Sequence, residues 1–312
     1  MKIGMSLTTA YPLQRDSAEL LASMTEQVKL MAELGFDALS LGDHHLTTEH
    51  YIQVLPTISH MAAISGGMQL LPLFLLPFYN PVLLAEQVGT LDVITGGRTT
   101  IICGLGYDPE AFLAFQTTQR ARVPRFIETF EIMRALMSGD DVTYQGRHYK
   151  INNGIRMNPK PLQQSLPMWI AGTAEPAIRR AAEMADGWVL VPGSGVDAIK
   201  ARLQIYRSAL AEFGRDEESM DIVLRRDAHL AMTSEAAHHE ARVLFEHGYR
   251  GHGSQALEES LVVGGSGECI EYLEEMERLG IGQVLFRCAL DEREQALQTI
   301  QVLGTEVIPH FK

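Results

Sequence analysis

The residues with the clearest chemical potential lie in the segment Gly42-Asp43-His44-His45-Leu46. Histidine exchanges protons near neutral pH, so His44 is a candidate general acid or base. The carboxylate of Asp43 has the chemistry to orient one imidazole or to stabilise its charged form. The alternative is a structural role, in which the pair caps the loop that starts the next helix. Residue type and position leave both interpretations open.

A second candidate site is the run Ile170-Ala171-Gly172-Thr173, which connects an apolar segment to a helical one. Backbone amides at a helix N-terminus and a threonine hydroxyl are well suited to bind phosphate. The more common use of Thr173 would be to cap the helix predicted over Glu175–Ala185. Arg122 and Arg125 begin another predicted helix, where an arginine fork can hold a phosphate, although most surface arginines hold none.

Glycines mark a third candidate, the segment Cys103-Gly104-Leu105-Gly106-Tyr107. Its two glycines would let a flat ring or a phosphate approach the backbone closely, or they serve only to form a tight turn. Cys103 is expected in the core, because free cysteine usually packs as a small hydrophobe. Trp169 and Trp188 are also expected in the core, although the Asp-Gly pair before Trp188 would allow it to lie near a binding site.

No metal site is expected. Adjacent histidines usually diverge, and no third ligand is spaced to join a site made from His44, His45, Glu49 and His50. The cysteines are three in number and widely spaced, without a Cys-x-x-Cys or Cys/His pattern: Cys103, Cys269 and Cys288. Neither a disulfide framework nor a zinc site is therefore predicted.

Short β-rich runs alternate with amphipathic helical stretches along the chain, and these elements must position the candidate residues. The predicted strands are Ile3–Leu7, Ala38–Leu41, Gln69–Leu76, Thr99–Cys103, Met168–Ile170, Gly187–Val191, Asp221–Met232 and Gln283–Cys288. The predicted helices are Ala18–Leu34, Val54–Ile64, Pro81–Ile94, Arg122–Met137, Glu175–Ala185, Ala198–Phe213, Glu235–His247, Gly267–Leu279 and Glu292–Leu303.

The alternation breaks after the fourth strand–helix unit. Val142–Tyr149, with a turn at Gln145-Gly146, is typical of a β-hairpin, and Ile151–Pro167 shows no period. Residues 142–167 are therefore predicted to be an insertion. A loop through Gly251–Gly253 and a helical segment over Ala256–Leu261 are expected near the C-terminal end.

Eight strand-then-helix units without a shift in composition predict one α/β domain over residues 1–312, folded as a (β/α)8 barrel. An open doubly wound sheet usually has a glycine-rich phosphate turn after its first strand, and Thr8–Pro12 has no GxGxxG pattern. In an α/β barrel, catalytic residues lie where strands end and βα loops begin. The three candidate segments all follow predicted strands.

The charge balance argues against some classes of partner. Lys and Arg number 26 against 39 Asp and Glu, which gives a formal net charge of −13. Such a surface repels nucleic-acid phosphates and anionic lipids, so no nucleic-acid or membrane partner is expected. The longest apolar run, Leu70–Phe78, contains two prolines and is too short to span a bilayer. A cytoplasmic location is the expectation, because no cleavable hydrophobic segment opens the chain.

Four stretches, in order along the chain, resemble the bacterial luciferase-like monooxygenase superfamily, whose members are TIM-barrel enzymes that use a flavin or a deazaflavin. These stretches are LGFDALSLGDHHLTTEH, NPVLLAEQVGTLDVITGGR, PMWIAGTAEPAIRRAAEMADGW and VGGSGECIEYLEEMERLGIGQVLF with a later VIPHF. The resemblance implies that His44, with Asp43, is catalytic and manages protons during flavin–oxygen chemistry or at a substrate carbonyl. It implies that His45 lines the substrate pocket.

The resemblance also implies a cofactor site. The family's phosphate site matches Ala171, Gly172 and Thr173, and the arginine that opens the fourth helix matches Arg125. A cis non-prolyl peptide that supports the flavin ring in the family would lie at Pro72–Leu73, beside Phe74. Further expected contacts come from residues after strands three, four and six. The cofactor would meet Gly104, Leu105, Gly106 and Tyr107, and the substrate would meet Leu76 and Trp188.

Two positions depart from the luciferase pattern. Luciferase has a phosphate-binding Arg where this chain has Leu105, so the anion would be held less tightly or in a shifted position. The acidic residue before the histidines is Asp43 rather than Glu, which is also common among members that use the deazaflavin F420. The His-His doublet favours FMN.

The function expected from the resemblance is a monooxygenase that acts on an unidentified small organic substrate. It would use O2 and reduced FMN supplied by a separate flavin reductase. Open alternatives are an F420-dependent dehydrogenase or reductase on the same fold, and a barrel kept as a non-catalytic flavin-binding or structural subunit. A zinc hydrolase is disfavoured by the ligand spacing. A homodimer through Val54–Ile64 and Pro81–Ile94 is expected, although these helices would also serve to pack on the barrel.

Overall fold

The structure is a computed structural model that describes residues 1–7, 10–139, 141–193, 195–249, 257 and 259–312. The loop predicted at Gly251–Gly253 lies outside the described residues, as do positions 256 and 258 of the helix predicted over Ala256–Leu261, whereas Leu257, Glu259 and Ser260 are helical as predicted. The end of that predicted helix is wrong, because Leu261–Gly264 forms a strand that pairs in parallel with the strand Asp221–Leu230.

Parallel strands close into a barrel, as the alternation of elements predicted. In the described residues the eight barrel strands, labelled β1 to β8, are Lys2–Leu7, Ala38–Leu41, Gln69–Leu75, Ile101–Gly104, Met168–Ala171, Gly187–Leu190, Asp221–Leu230 and Gln283–Cys288. Each strand pairs in parallel with the next along the chain, and β8 returns to pair with β1. Closure brings the carboxyl ends of all eight strands to one face, here called the mouth.

Helices surround the barrel near the positions that the hydrophobic period predicted. Those used below, α1 to α9, are Ser17–Glu33, Val54–Ala62, Pro81–Thr95, Arg122–Ser138, Glu175–Met184, Val196–Glu212, Ser234–His247, Ser266–Arg278 and Arg293–Val302. The ends of α3 show how local sequence sets them. The Asn80 side chain accepts hydrogen bonds from two first-turn amides, and Gly96 ends the helix in the left-handed region at φ +67°.

Strand alternation divides the apolar side chains into two layers. One set faces the inside of the barrel and forms a small cluster: Ala38, Leu71, Ile102, Trp169, Val189, Val223 and Leu285. The other set faces the helices and forms the larger core. Gly4 of β1 completes the inner layer without a side chain, because a Cβ there would lie 2.6 Å from the Ala38 carbonyl oxygen.

The predicted insertion is present after the fourth unit. Val142–Gln145 and Lys150–Ile155 form an antiparallel hairpin, so the second strand lies farther along the chain than predicted. A second antiparallel pair, Ala10–Tyr11 with His50–Tyr51, joins the loops that follow β1 and β2. Among the described residues, none of the helices combines the length and the apolar character needed to cross a membrane.

Candidate active site

Asp43 is the buried polar centre at the end of β2, with a side chain that is fully shielded from solvent. Its Oδ2 accepts hydrogen bonds from the Leu75 amide at 3.1 Å, the Tyr79 hydroxyl at 2.8 Å and His45 Nε2 at 3.2 Å. Its Oδ1 is buried without a hydrogen-bond partner in the described part of the chain. Asp43 therefore fixes the His45 imidazole and leaves one acceptor atom unused.

His44 is held by two contacts of a different kind. Its Nδ1 lies 3.2 Å from the His45 carbonyl oxygen, which can only accept, so Nδ1 carries the proton. In the neutral ring Nε2 is then an acceptor, and it lies 3.0 Å from the Tyr107 hydroxyl. Tyr107 comes from the loop after β4 and is mostly exposed. Two predicted site residues that are 63 positions apart thus meet at the mouth.

Aromatic rings form a wall beside His45. Its imidazole centroid lies 4.8 Å from the Phe115 ring and 5.6 Å from the Phe78 ring. Burial and the neighbouring Asp43 carboxylate raise the pKa of the Tyr79 hydroxyl, so that group remains a donor. Sequence reasoning missed Phe78, Tyr79 and Phe115. For Phe78 and Tyr79 the available pointer was their position just after a predicted strand end.

The phosphate candidate Ala171-Gly172-Thr173 lies between β5 and α5. Thr173 does not cap α5, because the helix begins after Ala174 and has no side-chain capping hydrogen bond. Gly172 allows this close packing, since a Cβ there would lie 2.7 Å from the Ala177 Cβ in the first turn of α5. Pro176 has no N–H, and the Ala177 amide donates to the Ala174 carbonyl oxygen at 2.8 Å, so the amides open to an anion at this helix start are those that precede Pro176, beside the bare Gly172 backbone.

Arg125 reaches the mouth from the first turn of α4. Its Nε donates to the Pro77 carbonyl oxygen at 3.0 Å, and its guanidinium lies 5.1 Å from the centre of the Tyr149 ring. The side chain is half-buried. Among the described residues, its two terminal Nη groups make no hydrogen bond.

The structure corrects three expectations near the mouth. Strand β3 keeps its regular pairing at the position where a bulge was expected, and the Pro72–Leu73 peptide is trans. Phe74 is fully buried in the helix-facing core, because it alternates with Leu73, which faces the barrel interior. Leu76 follows β3, in the short helix Leu76–Phe78, and is fully buried in the same core. Neither side chain lines the mouth.

The prediction that Trp188 lines the substrate pocket is also wrong, because Trp188 alternates with the inward-facing Val189. Its ring is buried against Tyr206 of α6, with the centroids 4.9 Å apart. The indole Nε1 donates to the Gly172 carbonyl oxygen at 2.8 Å. Trp188 therefore stabilises the backbone of the phosphate candidate at Gly172 from the helix-facing side.

The glycine-rich segment after β4 keeps the expected close backbone approach. A Cβ on Gly104 would lie 2.9 Å from a Leu75 methyl group, and Gly106 adopts φ +74°, where other residues are strained. Leu105 packs against the helix-facing core. Tyr107, the last residue of this segment, contacts another predicted site residue, His44.

A family model described as luciferase-like monooxygenase matches residues 1–283, which is most of the chain. The chain belongs to the luciferase-like monooxygenase family. Two relatives of similar length are 24–25% identical to it. The 5,10-methylenetetrahydromethanopterin reductase of Archaeoglobus fulgidus is 25% identical, with 91% of this chain and 94% of that protein covered. The 4-hydroxyprotoasukamycin monooxygenase of Streptomyces nodosus subsp. asukaensis is 24% identical, with 100% and 92% covered.

Solved structures of luciferase-like enzymes share the fold. Monooxygenase RslO1 from Streptomyces bottropensis superposes with a TM-score of 0.87, covering 100% of both chains at 21% identity. The oxygenating constituent of 3,6-diketocamphane monooxygenase from Pseudomonas putida, in complex with FMN, superposes with a TM-score of 0.84. It is 17% identical, with 99% of this chain and 98% of that chain covered. The relatives include monooxygenases and a reductase, so this luciferase-like protein is an oxidoreductase.

The Gly172 packing gives a direct test of the phosphate candidate in this luciferase-like protein. Replacing Gly172 with alanine is expected to weaken FMN binding about tenfold, because the added methyl group must push the start of α5 away. Fluorescence titration with FMN measures the effect. The matched control is Gly267→Ala, also in a first helical turn, where a Cβ would meet nothing within 4 Å. Equal FMN affinity in both variants would exclude this loop as the phosphate site.

Proposed function

We propose that this protein is a monooxygenase that uses reduced FMN and O2 to oxidise a small organic substrate. The observation that carries the proposal is the uncapped start of α5 beside the bare Gly172 backbone. A helix N-terminus favours negative charge, and the terminal phosphate of FMN carries close to two negative charges. Arg125, whose Nη groups bond to none of the described residues, is a further anion contact on the β3–α4 side of the mouth.

The residues present fit a flavin at the mouth. Thr173 and the amides that precede Pro176 at the start of α5 would hold the phosphate, with Arg125 as a second anchor. The inward-facing Leu73 and the side-chain-free Gly104 offer an apolar surface for a flat ring. The buried Asp43 Oδ1 remains available to accept a hydrogen bond from a ligand. When bound, the reduced flavin supplies two electrons for the activation of O2 and the transfer of one oxygen atom.

The chain's own residues would manage protons and water. His44 Nε2 is the basic atom at the mouth, and the Tyr107 hydroxyl connects it to solvent. Asp43 and Tyr79 hold His45 in place, and the rings of Phe78 and Phe115 cover its flank. An apolar wall excludes water, which protects reactive oxygen species formed in the site from side reactions.

The alternative is an F420-dependent dehydrogenase or reductase with His44 as the proton partner of hydride transfer. The observation in its favour is Asp43, because Asp at this position is common in deazaflavin-using members of the family. The doubly charged terminal phosphate of FMN suits the α5 site better than the singly charged phosphodiester of F420. A non-catalytic barrel is the third candidate, and the ordered contacts of His44 argue against it.

Titration of the purified protein with FMN, reduced FMN and F420, followed by fluorescence or calorimetry, tests the cofactor. Micromolar binding of FMN that tightens on reduction supports the proposal. A reductase-coupled oxygen-uptake screen over small organic compounds then identifies the substrate. Binding of F420 alone would establish the hydride-transfer alternative, and binding of none of the three would exclude flavin chemistry.

We also propose that the protein is a homodimer through α2 and α3. Leu83 and Ile94, on the outer face of α3, are 54% and 56% exposed, and a groove of about 280 Å³ separates the two helices. Placing a charge in this apolar surface by Leu83→Glu is expected to convert the dimer to a monomer in light scattering. Leu113→Glu, at another exposed leucine, is the control. A monomeric wild-type protein at micromolar concentration would contradict the proposal.

A further inference from the structure

The insertion is tied to the barrel by one buried carboxylate. Glu128, on α4, is 7% exposed, and its oxygens accept the amides of Arg147, His148 and Tyr149 at 2.9–3.0 Å. Gly146 permits this contact, because a Cβ there would overlap a Glu128 oxygen. The hairpin turn is therefore fixed to the same helix that carries Arg125, one turn earlier on α4.

Tyr149 extends this anchor to the mouth. Its hydroxyl donates to the Tyr79 carbonyl oxygen at 3.2 Å, in the segment that follows β3. Its ring lies under the guanidinium of Arg125 at 5.1 Å. Tyr79 in turn donates to Asp43, so Tyr149 connects the insertion to both the arginine and the catalytic end of β2.

Arg125 is thereby held on two sides without using its terminal groups. The Pro77 carbonyl oxygen accepts a hydrogen bond from Nε, and the Tyr149 ring packs against the guanidinium. A flexible arginine loses side-chain entropy when it binds an anion, and a side chain already held in place loses less. A guanidinium held in this way has its position fixed before any ligand arrives.

We infer that Tyr149 is a positioning residue that holds Arg125 for the cofactor phosphate, so that the insertion is part of the phosphate site. The inference rests on the proposed function, because it assigns the anion at Arg125 to FMN. Tyr149 has no contact with the flavin ring in this assignment. Its loss must therefore weaken the binding of FMN and leave the binding of riboflavin, which lacks the phosphate, unchanged.

The experiment measures dissociation constants of FMN and riboflavin for the wild-type protein and for variants of Tyr149. Tyr149→Leu is expected to weaken FMN binding about tenfold, which is the size of a partly desolvated cation–π contact, with riboflavin binding unaltered. Tyr149→Phe keeps the ring and is expected to retain most of the FMN affinity. Tyr149→Met, which fills a similar volume without a ring, replaces the leucine variant if that variant does not fold. Tyr144→Leu is the control, because Tyr144 lies on the same hairpin and bonds to Glu131 instead.

A double-mutant cycle separates positioning from a general structural effect. In an Arg125→Ala background, Tyr149→Leu is expected to cause no further loss of FMN affinity. A further tenfold loss in that background, or an equal loss for riboflavin, would overturn the inference. If the wild-type protein prefers FMN to riboflavin and the Tyr149→Leu variant binds both with wild-type affinity, the inference about Tyr149 is overturned. The proposed phosphate site is then unaffected. A wild-type protein without preference for FMN would overturn the proposed phosphate site, and the inference with it.

Discussion

Replacing His44 with alanine is expected to reduce turnover about 100- to 10 000-fold while FMN affinity stays unchanged. The reason is that His44 Nε2 is the proposed proton acceptor and lies 3.0 Å from the Tyr107 hydroxyl, whereas the proposed phosphate site is built from other strands. Oxygen uptake with the substrate found by screening gives turnover, and fluorescence titration gives the FMN dissociation constant.

His50→Ala is the matched control for His44. It removes a histidine from the same βα loop, where His50 Nε2 lies 3.2 Å from the Leu13 carbonyl oxygen, and is expected to leave turnover within a few-fold of wild type. Retained turnover in His44→Ala would remove His44 from the mechanism. A parallel loss of FMN affinity would show instead that His44 holds the cofactor.

Asp43→Ala is expected to lower the free energy of unfolding by about 3 kcal/mol and to abolish turnover. The substitution leaves three buried or half-buried donors without an acceptor, namely the Leu75 amide, the Tyr79 hydroxyl and His45 Nε2. An unpaired buried polar group costs its full desolvation free energy, and three such groups share this loss. Thermal and denaturant unfolding measure the stability, and the oxygen-uptake assay measures turnover.

Two further variants give stability losses against which the Asp43→Ala loss is compared. Asp43→Asn keeps the size and one acceptor oxygen, so a smaller loss of stability is expected. Asp16→Ala removes an exposed carboxylate that caps α1 through two amides, and about 1 kcal/mol is expected. A stability loss in Asp43→Ala no larger than that of Asp16→Ala would show that the buried network around Asp43 is not what holds this end of the barrel.

Much of the fold could be predicted because each element is specified locally. The helix predicted over Pro81–Ile94 matches α3 within one residue, since the Asn80 cap, Pro81 and the left-handed Gly96 act within one helical turn. The same is true of the barrel, because eight strand–helix alternations leave few ways to bury parallel strands. The strand Leu261–Gly264 was missed, because its pairing with the distant end of β7 decides its conformation.

The sequence identified the segments of the candidate site more accurately than it identified which side chains face the mouth. His44, Tyr107, Arg125 and Gly172 were identified because they follow strands or begin helices. Trp188 and Phe74 follow the same rule but face the helices, since a shift of one residue along a strand reverses the direction of the side chain. Leu76 lies beyond the end of β3 and is buried in the same core. Register, and not residue type, decided the direction of Trp188 and Phe74.

The sequence by itself determined the order of strands and helices, the insertion, the acidic surface and the family. Each of these depends on neighbours within a few residues or on summed composition. Only the tertiary structure decided that Asp43 binds His45 and Tyr79 rather than His44, and that Tyr149 lies under Arg125. These contacts join residues brought together by barrel closure, and the free energy of a hydrogen bond or a ring contact depends on distances that sequence spacing does not contain.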